Sequence, residues 1–166
     1  MKDILINFDK FYINQGDPNF ADIRFKNNAT VRIYGCGVCC ASMIICKTLD
    51  LINISDKQDV IRKVIADATN AKGLLTYSKI EYDGKVFKFK KGIVPAAALE
   101  DNEACICKLN GHFVVINGYD SSKTGDEAYL VKDPGSAVYK NLRQPMQKYG
   151  EIIKDIIKLE LLKSVS

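Results

Sequence analysis

The spacing of hydrophobic residues along the chain predicts helices in its first half. Residues 1–30 show no regular period and contain clusters of turn-forming residues. From Val38 to about Asp50 the chain is almost continuously apolar, and a run of more than ten such residues favours a buried helix over a strand. A second helix is predicted after Ser55 and Gln58, which form a capping-box pattern. Its apolar residues fall on one face at helical spacing: Val60, Ile61, Val64, Ile65 and Ala68.

The second half of the chain alternates apolar and polar residues, which is typical of strands. The segment "KIEYDGKVFKFKK" predicts a hairpin, because Asp83-Gly84 suits a tight turn between two alternating strands. A short helix is predicted in "VPAAALEDN". The segments "EACICKL", "GHFVVINGYD" and "AYLVKDPGS" then predict three neighbouring antiparallel strands.

The end of the chain returns to a helical spacing. The isoleucines and leucines of "GEIIKDIIKLELLK" form a helical stripe, which predicts a C-terminal helix over about residues 151–163. Helices followed by an antiparallel sheet indicate an α+β fold. A length of 166 residues fits a single domain, which we expect to span residues 1–166.

Composition and charge exclude several classes of protein. With 47% hydrophobic and 27% charged residues, the sequence is typical of a soluble globular protein. No apolar run reaches the roughly 18 residues of a membrane span. The N-terminal segment lacks the continuous apolar core of a secretory signal, so we expect synthesis in the cytoplasm.

The net charge of +4 is a mild basic excess. Its densest run, Lys85 to Lys91, alternates Lys with Val and Phe and predicts an edge strand with one solvated face. The alternative is a surface for an anionic polymer, either cell wall or nucleic acid. Since no nucleic-acid-binding motif accompanies the run, we expect no nucleic acid among the partners.

Four of the six cysteines lie in the short segment from Cys36 to Cys46. Six cysteines in a chain of this length are too few for a disulfide scaffold. Adjacent residues such as Cys39 and Cys40 can rarely bond to each other, because disulfide geometry is demanding. We therefore expect reduced thiols.

Cys36 is the candidate nucleophile, because it follows a glycine at the start of the predicted helix. A thiol at a helix N-terminus is close to the positive end of the helix dipole, which favours the nucleophilic thiolate. The backbone N–H of Cys36 can point at an oxyanion. His112 is the only histidine of the chain and is therefore the candidate base. Asp133, on the next predicted strand, is placed to orient that histidine.

Four segments, taken in order, resemble the bacteriocin-processing (double-glycine leader) peptidase-like family of papain-like cysteine peptidases, in its small bacterial and phage form. "GCGVCCASMI" is similar to the nucleophile motif of that family, "GHFVVINGYD" to its histidine strand and "YLVKDPGS" to its Asp-Pro-Gly strand. Upstream, "NQGDPNFADIRF" resembles a Gln-x-Asp-x-x-Trp-Ala segment. The resemblance spans about residues 15–136.

The resemblance implies a papain-like fold, with N-terminal helices packed on an antiparallel sheet, and a cysteine peptidase or amidase that uses no cofactor and no metal. It assigns Cys36 as nucleophile, His112 as general base and Asp133 as orienting acid. Gln15, in the upstream segment, is a candidate oxyanion-hole donor. The chain departs from the transporter-linked members in having Thr30 where they have a glutamine. The implied substrate is a peptide or a peptidoglycan peptide, and the implied setting includes a phage particle or release by lysis.

Two alternatives to a hydrolase stay open at this point. The thiols of Cys36, Cys39, Cys105 and Cys107 could bind a structural zinc ion, since four thiolates form a common zinc site. Two features count against zinc. Cys36 and Cys39 would lie in or next to a buried helix, and Cys105 and Cys107 lie in a segment typical of a plain strand. The other alternative is a papain-like binding module without catalysis. The sequence leaves the substrate and the oligomeric state open.

Overall fold

The structure, a computed structural model, describes residues 1–162 of the chain. Its strands are β1 (Ile4–Leu5), β2 (Ile80–Tyr82), β3 (Lys85–Lys90), β4 (Cys105–Leu109), β5 (His112–Tyr119), β6 (Tyr129–Lys132) and β7 (Asp155–Leu161). Its α-helices are α1 (Val31–Tyr34), α2 (Cys36–Leu49), α3 (Ile54–Ala68), α4 (Pro95–Glu100) and α5 (Arg143–Tyr149), and a 3-10 turn covers Gly125–Ala128.

The strands form one antiparallel sheet in the order β1-β5-β4-β7-β3-β2, and β6 pairs with β5. α2 contacts α3 and also packs against β5 and β7 of the sheet. This mixed fold of an antiparallel sheet and several helices confirms the α+β prediction. Within residues 1–162, no helix has both the length and the apolar character needed to cross a membrane.

Helix α2 forms where the long apolar run was found, and it is the most buried helix of the fold. All its residues from Gly37 to Cys46 are buried, so a helix that is apolar around its whole circumference lies inside the core. Asp50 ends it in a left-handed conformation (φ 56°). Gly35 lies between α1 and α2. A side chain does not fit at this position, because a Cβ would come within 2.4 Å of the Val31 carbonyl oxygen.

Most of the remaining local predictions are confirmed, with two corrections. The β2–β3 hairpin turns at Asp83 and Gly84, which both have positive φ, as a tight hairpin turn requires. Its second strand is not an edge strand, because β7 pairs with its other side. The capping box at Ser55 is also wrong, because α3 begins at Ile54 and places Ser55 inside the helix.

The predicted C-terminal helix is wrong. Residues 155–161 form strand β7, which pairs with β4 on one side and β3 on the other, and position 163 of the prediction lies outside the described residues. The run of isoleucines satisfies a helical stripe and a strand equally well, but β-branched residues favour strands. The helix near this end of the chain is instead α5, which precedes the strand.

Candidate active site

The first turn of α2 places the Cys36 side chain at the surface of the core. Cys36 is the first residue of that helix, and it is half-buried, whereas the other five cysteines are buried. The first N–H groups of an α-helix have no partner within it, and here they belong to Cys36 and the two residues that follow. The thiol therefore lies beside free backbone donors at the positive end of the α2 dipole.

The absence of a side chain at Gly37 lets other elements approach this turn. A Cβ at Gly37 would come within 2.6 Å of Leu75 Cδ1 and within 3.1 Å of the Phe113 ring. Leu75 and Phe113 therefore pack directly against the helix start. The glycine after Cys36 thus serves close packing at the wall of the cleft.

His112 and Asp133 form a buried pair behind Cys36. The Nε2 atom of His112 lies 2.7 Å from Oδ1 of Asp133, and the two side chains are only 4% and 1% exposed. His112 begins β5, and Asp133 directly follows β6, which is the antiparallel neighbour of β5. Val115 pairs with Lys132, so Asp133, the next residue, lies opposite Val114. Val114 is two residues after His112 on β5, so Asp133 and His112 lie on the same face of the sheet.

His112 also lies beside Cys36, and the two residues line the same cleft. Because Nε2 is bound to Asp133, the ring nitrogen left for the thiol is Nδ1. Burial of the imidazole lowers its pKa and is the largest single effect, but the hydrogen bonds and charges of Asp133 and Cys36 together outweigh it. The net result raises the pKa of His112 to about 9. The structure thus brings together three of the predicted site residues in the order Cys36, His112, Asp133.

The turn after Asp133 is held by backbone and side-chain hydrogen bonds. The N–H of Gly135 donates to Oδ1 of Asp133 at 2.7 Å, so this oxygen binds both the histidine and the turn. The Tyr12 hydroxyl donates to the Asp133 carbonyl oxygen, and the N–H of Gln15 donates to the Pro134 carbonyl oxygen at 2.8 Å. The N-terminal segment therefore holds the backbone of the turn that carries the Asp133 carboxylate.

Gln15, the fourth predicted residue, lies in the cleft beside Cys36, but its amide nitrogen is engaged. That nitrogen donates to the carbonyl oxygen of Arg32 at 2.8 Å. The side-chain oxygen Oε1 of Gln15 is buried and has no hydrogen-bond partner within residues 1–162. In this conformation the amide is aimed at α1, and a role as oxyanion donor requires it to turn.

Two tyrosines at the site were missed by sequence reasoning. The ring of Tyr149, at the end of α5, stacks on the His112 ring with centroids 4.0 Å apart and planes 15° from parallel. Tyr12 supports Asp133 through its hydroxyl. Nothing in the sequence near either tyrosine signals the site, since both reach it only through the tertiary fold.

Two halves of one cleft meet at Cys36 and His112, which line both. One half has a volume of about 430 Å³ and is lined mainly by apolar side chains, including Leu74, Leu75 and Phe113. The other half has a volume of about 320 Å³ and is more polar, with Asn14, Gln15 and Arg32 among its walls. An extended chain can therefore pass over the thiol with one end on each half.

The zinc alternative finds no support in the arrangement of the thiols. Within the described part of the chain, no group of three or more His, Cys, Asp or Glu side chains is arranged to hold a metal ion. Cys39, Cys105 and Cys107 are each fully buried among apolar residues of the core. They pack as small hydrophobic side chains, as predicted for the cysteines behind Cys36.

Comparison of the chain with protein-family models, with curated proteins and with solved structures finds no match.

Proposed function

We propose that the protein is a papain-like cysteine peptidase or amidase, related to the double-glycine leader peptidases, that hydrolyses a peptide or amide bond through an acyl-enzyme on Cys36. The observation that supports this most directly is the position of His112, which is hydrogen-bonded to the buried Asp133 carboxylate and lies beside the Cys36 thiol. A thiol, a base bonded to it and a carboxylate that orients the base are the parts such a reaction needs. Cys36 and His112 line an open cleft, and Asp133 lies buried behind them.

In the first step Cys36 gives its proton to His112 and attacks the substrate carbonyl carbon. The raised pKa of His112 keeps the imidazole protonated at neutral pH once it has taken the Cys36 proton, and Asp133 stabilises this imidazolium. The protonated imidazole then donates its proton to the leaving amine as the C–N bond breaks. This leaves an acyl group on the sulfur and a neutral His112.

In the second step His112 takes a proton from a water molecule, which attacks the thioester and releases the acid. The oxyanion that forms in each step lies near the start of α2, where the N–H of Cys36 is one donor. Gln15 is the proposed second donor, once its amide nitrogen turns from the Arg32 carbonyl toward the cleft.

The substrate we propose is an extended peptide or a peptidoglycan peptide, because two halves of the cleft meet at the thiol and differ in polarity. Free peptides and cell-wall peptides both meet this description. A setting in a phage particle or after cell lysis belongs to the same proposal, as does the absence of a nucleic-acid partner.

Acyl-enzyme trapping tests the proposal. Wild-type protein and the Cys36→Ala variant are mixed with casein peptides or peptidoglycan fragments, quenched in acid and weighed by mass spectrometry. The wild type should show cleaved products and an acyl adduct that maps to Cys36, whereas the variant shows neither. If the peptides bind to the wild type without adduct or cleavage, the protein is a binding module with a papain-like arrangement of residues.

A further inference from the structure

We propose that the first turn of α2 is also a thiol–disulfide site, in which peroxide oxidises Cys36 and Cys39 captures it as a reversible disulfide. The segment from Cys36 to Cys39 is a Cys-x-x-Cys sequence whose first cysteine is half-buried at a helix start and whose second is fully buried. This inference goes beyond the proposed hydrolysis, since it depends on the sulfur chemistry of the turn and not on a substrate.

Helix geometry places the Cα atoms of Cys36 and Cys39 in the range found across disulfides. Residues three apart on an α-helix have Cα atoms about 5 Å apart, which lies in the range of about 4.4–6.8 Å found across disulfides. Side chains on a helix point toward its N-terminus, so the Cys39 side chain is directed back toward Cys36. Because Cys36 is the first residue of α2, its N–H makes no bond to an earlier helical residue and its backbone can adjust.

The oxidation is balanced in two steps. In the first, the Cys36 thiolate attacks hydrogen peroxide, so an S–O bond forms, the O–O bond breaks and hydroxide leaves. In the second, the Cys39 sulfur attacks the Cys36 sulfenic acid, so the S–S bond forms, the S–O bond breaks, and the thiol proton of Cys39 leaves with the hydroxide as water. Peroxide is reduced by two electrons, and the two thiols together supply them.

Oxidation of Cys36 itself favours the second step. Burial raises the pKa of the Cys39 thiol, and the negative charge of Cys36 raises it further. A sulfenic acid is neutral, so the first step removes that charge from beside Cys39. Ionisation of Cys39 becomes easier at the moment when its partner is ready for attack.

Cys40 is the competing partner, and its surroundings favour it less. It lies four residues after Cys36, with a Cα separation of about 6.2 Å in a regular helix. The charge of Cys36 raises the pKa of Cys40 as well, but so do the charges of Cys39, Asp133 and Cys107, and the charge of Asp133 remains after Cys36 is oxidised. For Cys39, Cys36 is the charged neighbour that matters. These differences assign Cys39 as the capturing thiol.

The test is a peroxide titration of the whole chain, read by intact mass and by fragment mapping of the peptide from Ile33 to Lys47. Wild type and the matched control Cys40→Ala should each lose two hydrogen atoms and form a Cys36–Cys39 linkage. Dithiothreitol should then restore labelling of Cys36 by iodoacetamide. In Cys39→Ala, Cys36 should instead gain two or three oxygen atoms, with at least about tenfold less labelling restored.

A Cys36–Cys40 linkage in the wild type would overturn the assignment, and so would oxygen addition to wild-type Cys36 without any disulfide. The wild-type map decides the question even if Cys39→Ala does not fold. None of these readouts needs hydrolysis. If the disulfide does not form, the proposed peptidase function is unaffected. If the protein forms the disulfide but hydrolyses nothing, the disulfide site is supported and the peptidase function is not.

Discussion

Cysteine side chains occupy two different environments in this fold, an accessible one at the first turn of α2 and a buried one in the interior of the core. Cys36 faces an open cleft and lies beside His112. Cys105 and Cys107 on β4 are fully buried, and burial raises the pKa of each thiol to about 12. Burial likewise raises the pKa of the remaining α2 thiols above the ordinary range.

Position, not the number of cysteines, determines the chemistry of this sulfur-rich segment. A buried thiol has no solvent to stabilise its anion and behaves as a small apolar group. One turn earlier on the same helix, free N–H groups and an imidazole surround the sulfur. Substitutions at the two kinds of position should therefore affect different properties, activity for one and stability for the other.

The largest expected effect is the loss of hydrolysis in Cys36→Ala, by at least about 10⁴-fold, because the nucleophile is removed. Its free energy of unfolding should change by less than about 0.5 kcal/mol, since the side chain is partly exposed. Cys107→Ala is the matched control and should keep activity but lose about 1 kcal/mol or more by leaving a cavity. Peptide hydrolysis and thermal unfolding measure the two properties. Equal activity loss in both variants would contradict the distinction.

The next effect concerns the residues that support the thiol. His112→Ala should lower kcat/KM by about 10³-fold or more, because the chain has no second histidine to act as base. Asp133→Asn should be comparable or milder, because the carboxylate orients the imidazole and does not itself react. Combining the two changes should cost little more than the worse one alone, since the groups act as a unit. A histidine variant with most of its activity would mean that His112 is only a core residue.

Alkylation should separate the two classes of cysteine without any substrate. Below pH 8, iodoacetamide should modify Cys36 at least about 100-fold faster than the other five cysteines, because Cys36 is the accessible thiol and lies beside His112. The raised pKa values of the other five thiols keep them protonated. Short exposure followed by peptide mass mapping measures the rates. Uniform labelling, or preferential labelling of Cys105, would remove the basis for assigning Cys36 as nucleophile.

Much of this site could be predicted because its signals are local. A cysteine between glycines at the start of an apolar run marks Cys36, and the adjacency of two antiparallel strands brings Asp133 to His112. Both features depend only on neighbouring segments. The α+β class followed from the same patterns of helical and alternating spacing.

The parts that could not be predicted depend on long-range contacts. Strand β7 was predicted as a helix because its spacing fits both structures, and its partners β3 and β4 lie far earlier in the chain. Tyr149 reaches His112 only because α5 ends beside it. The Gln15 amide points at Arg32, a contact set by how α1 packs on the N-terminal segment. No local pattern encodes these contacts.

The pKa of His112 predicts how activity and stability depend on pH. Acylation needs a protonated imidazole, so kcat/KM should fall about tenfold per pH unit above pH 9.

The folded pKa of His112, about 9, exceeds its unfolded value of about 6.5. His112 therefore stabilises the fold fully below pH 6.5, and this contribution is lost as pH rises through 9. Thermal unfolding of wild type and His112→Ala from pH 6 to 10 should show a difference that shrinks with rising pH. A constant difference would contradict the assigned pKa.

The smallest expected effect comes from Gly135→Ala, which tests how tightly the supporting pair is held. A Cβ at Gly135 would lie 3.2 Å from Oδ1 of Asp133 and 3.3 Å from Cε1 of His112, so the pair must move by a few tenths of an ångström. A misplacement of that size should lower kcat/KM by about tenfold, because catalysis depends on the position of the base. The melting temperature and the alkylation rate of Cys36 should stay close to those of the wild type, since φ at this position suits any residue. Unchanged activity would show that the pair tolerates displacement, and that the environment of the thiol alone distinguishes Cys36 from the buried cysteines.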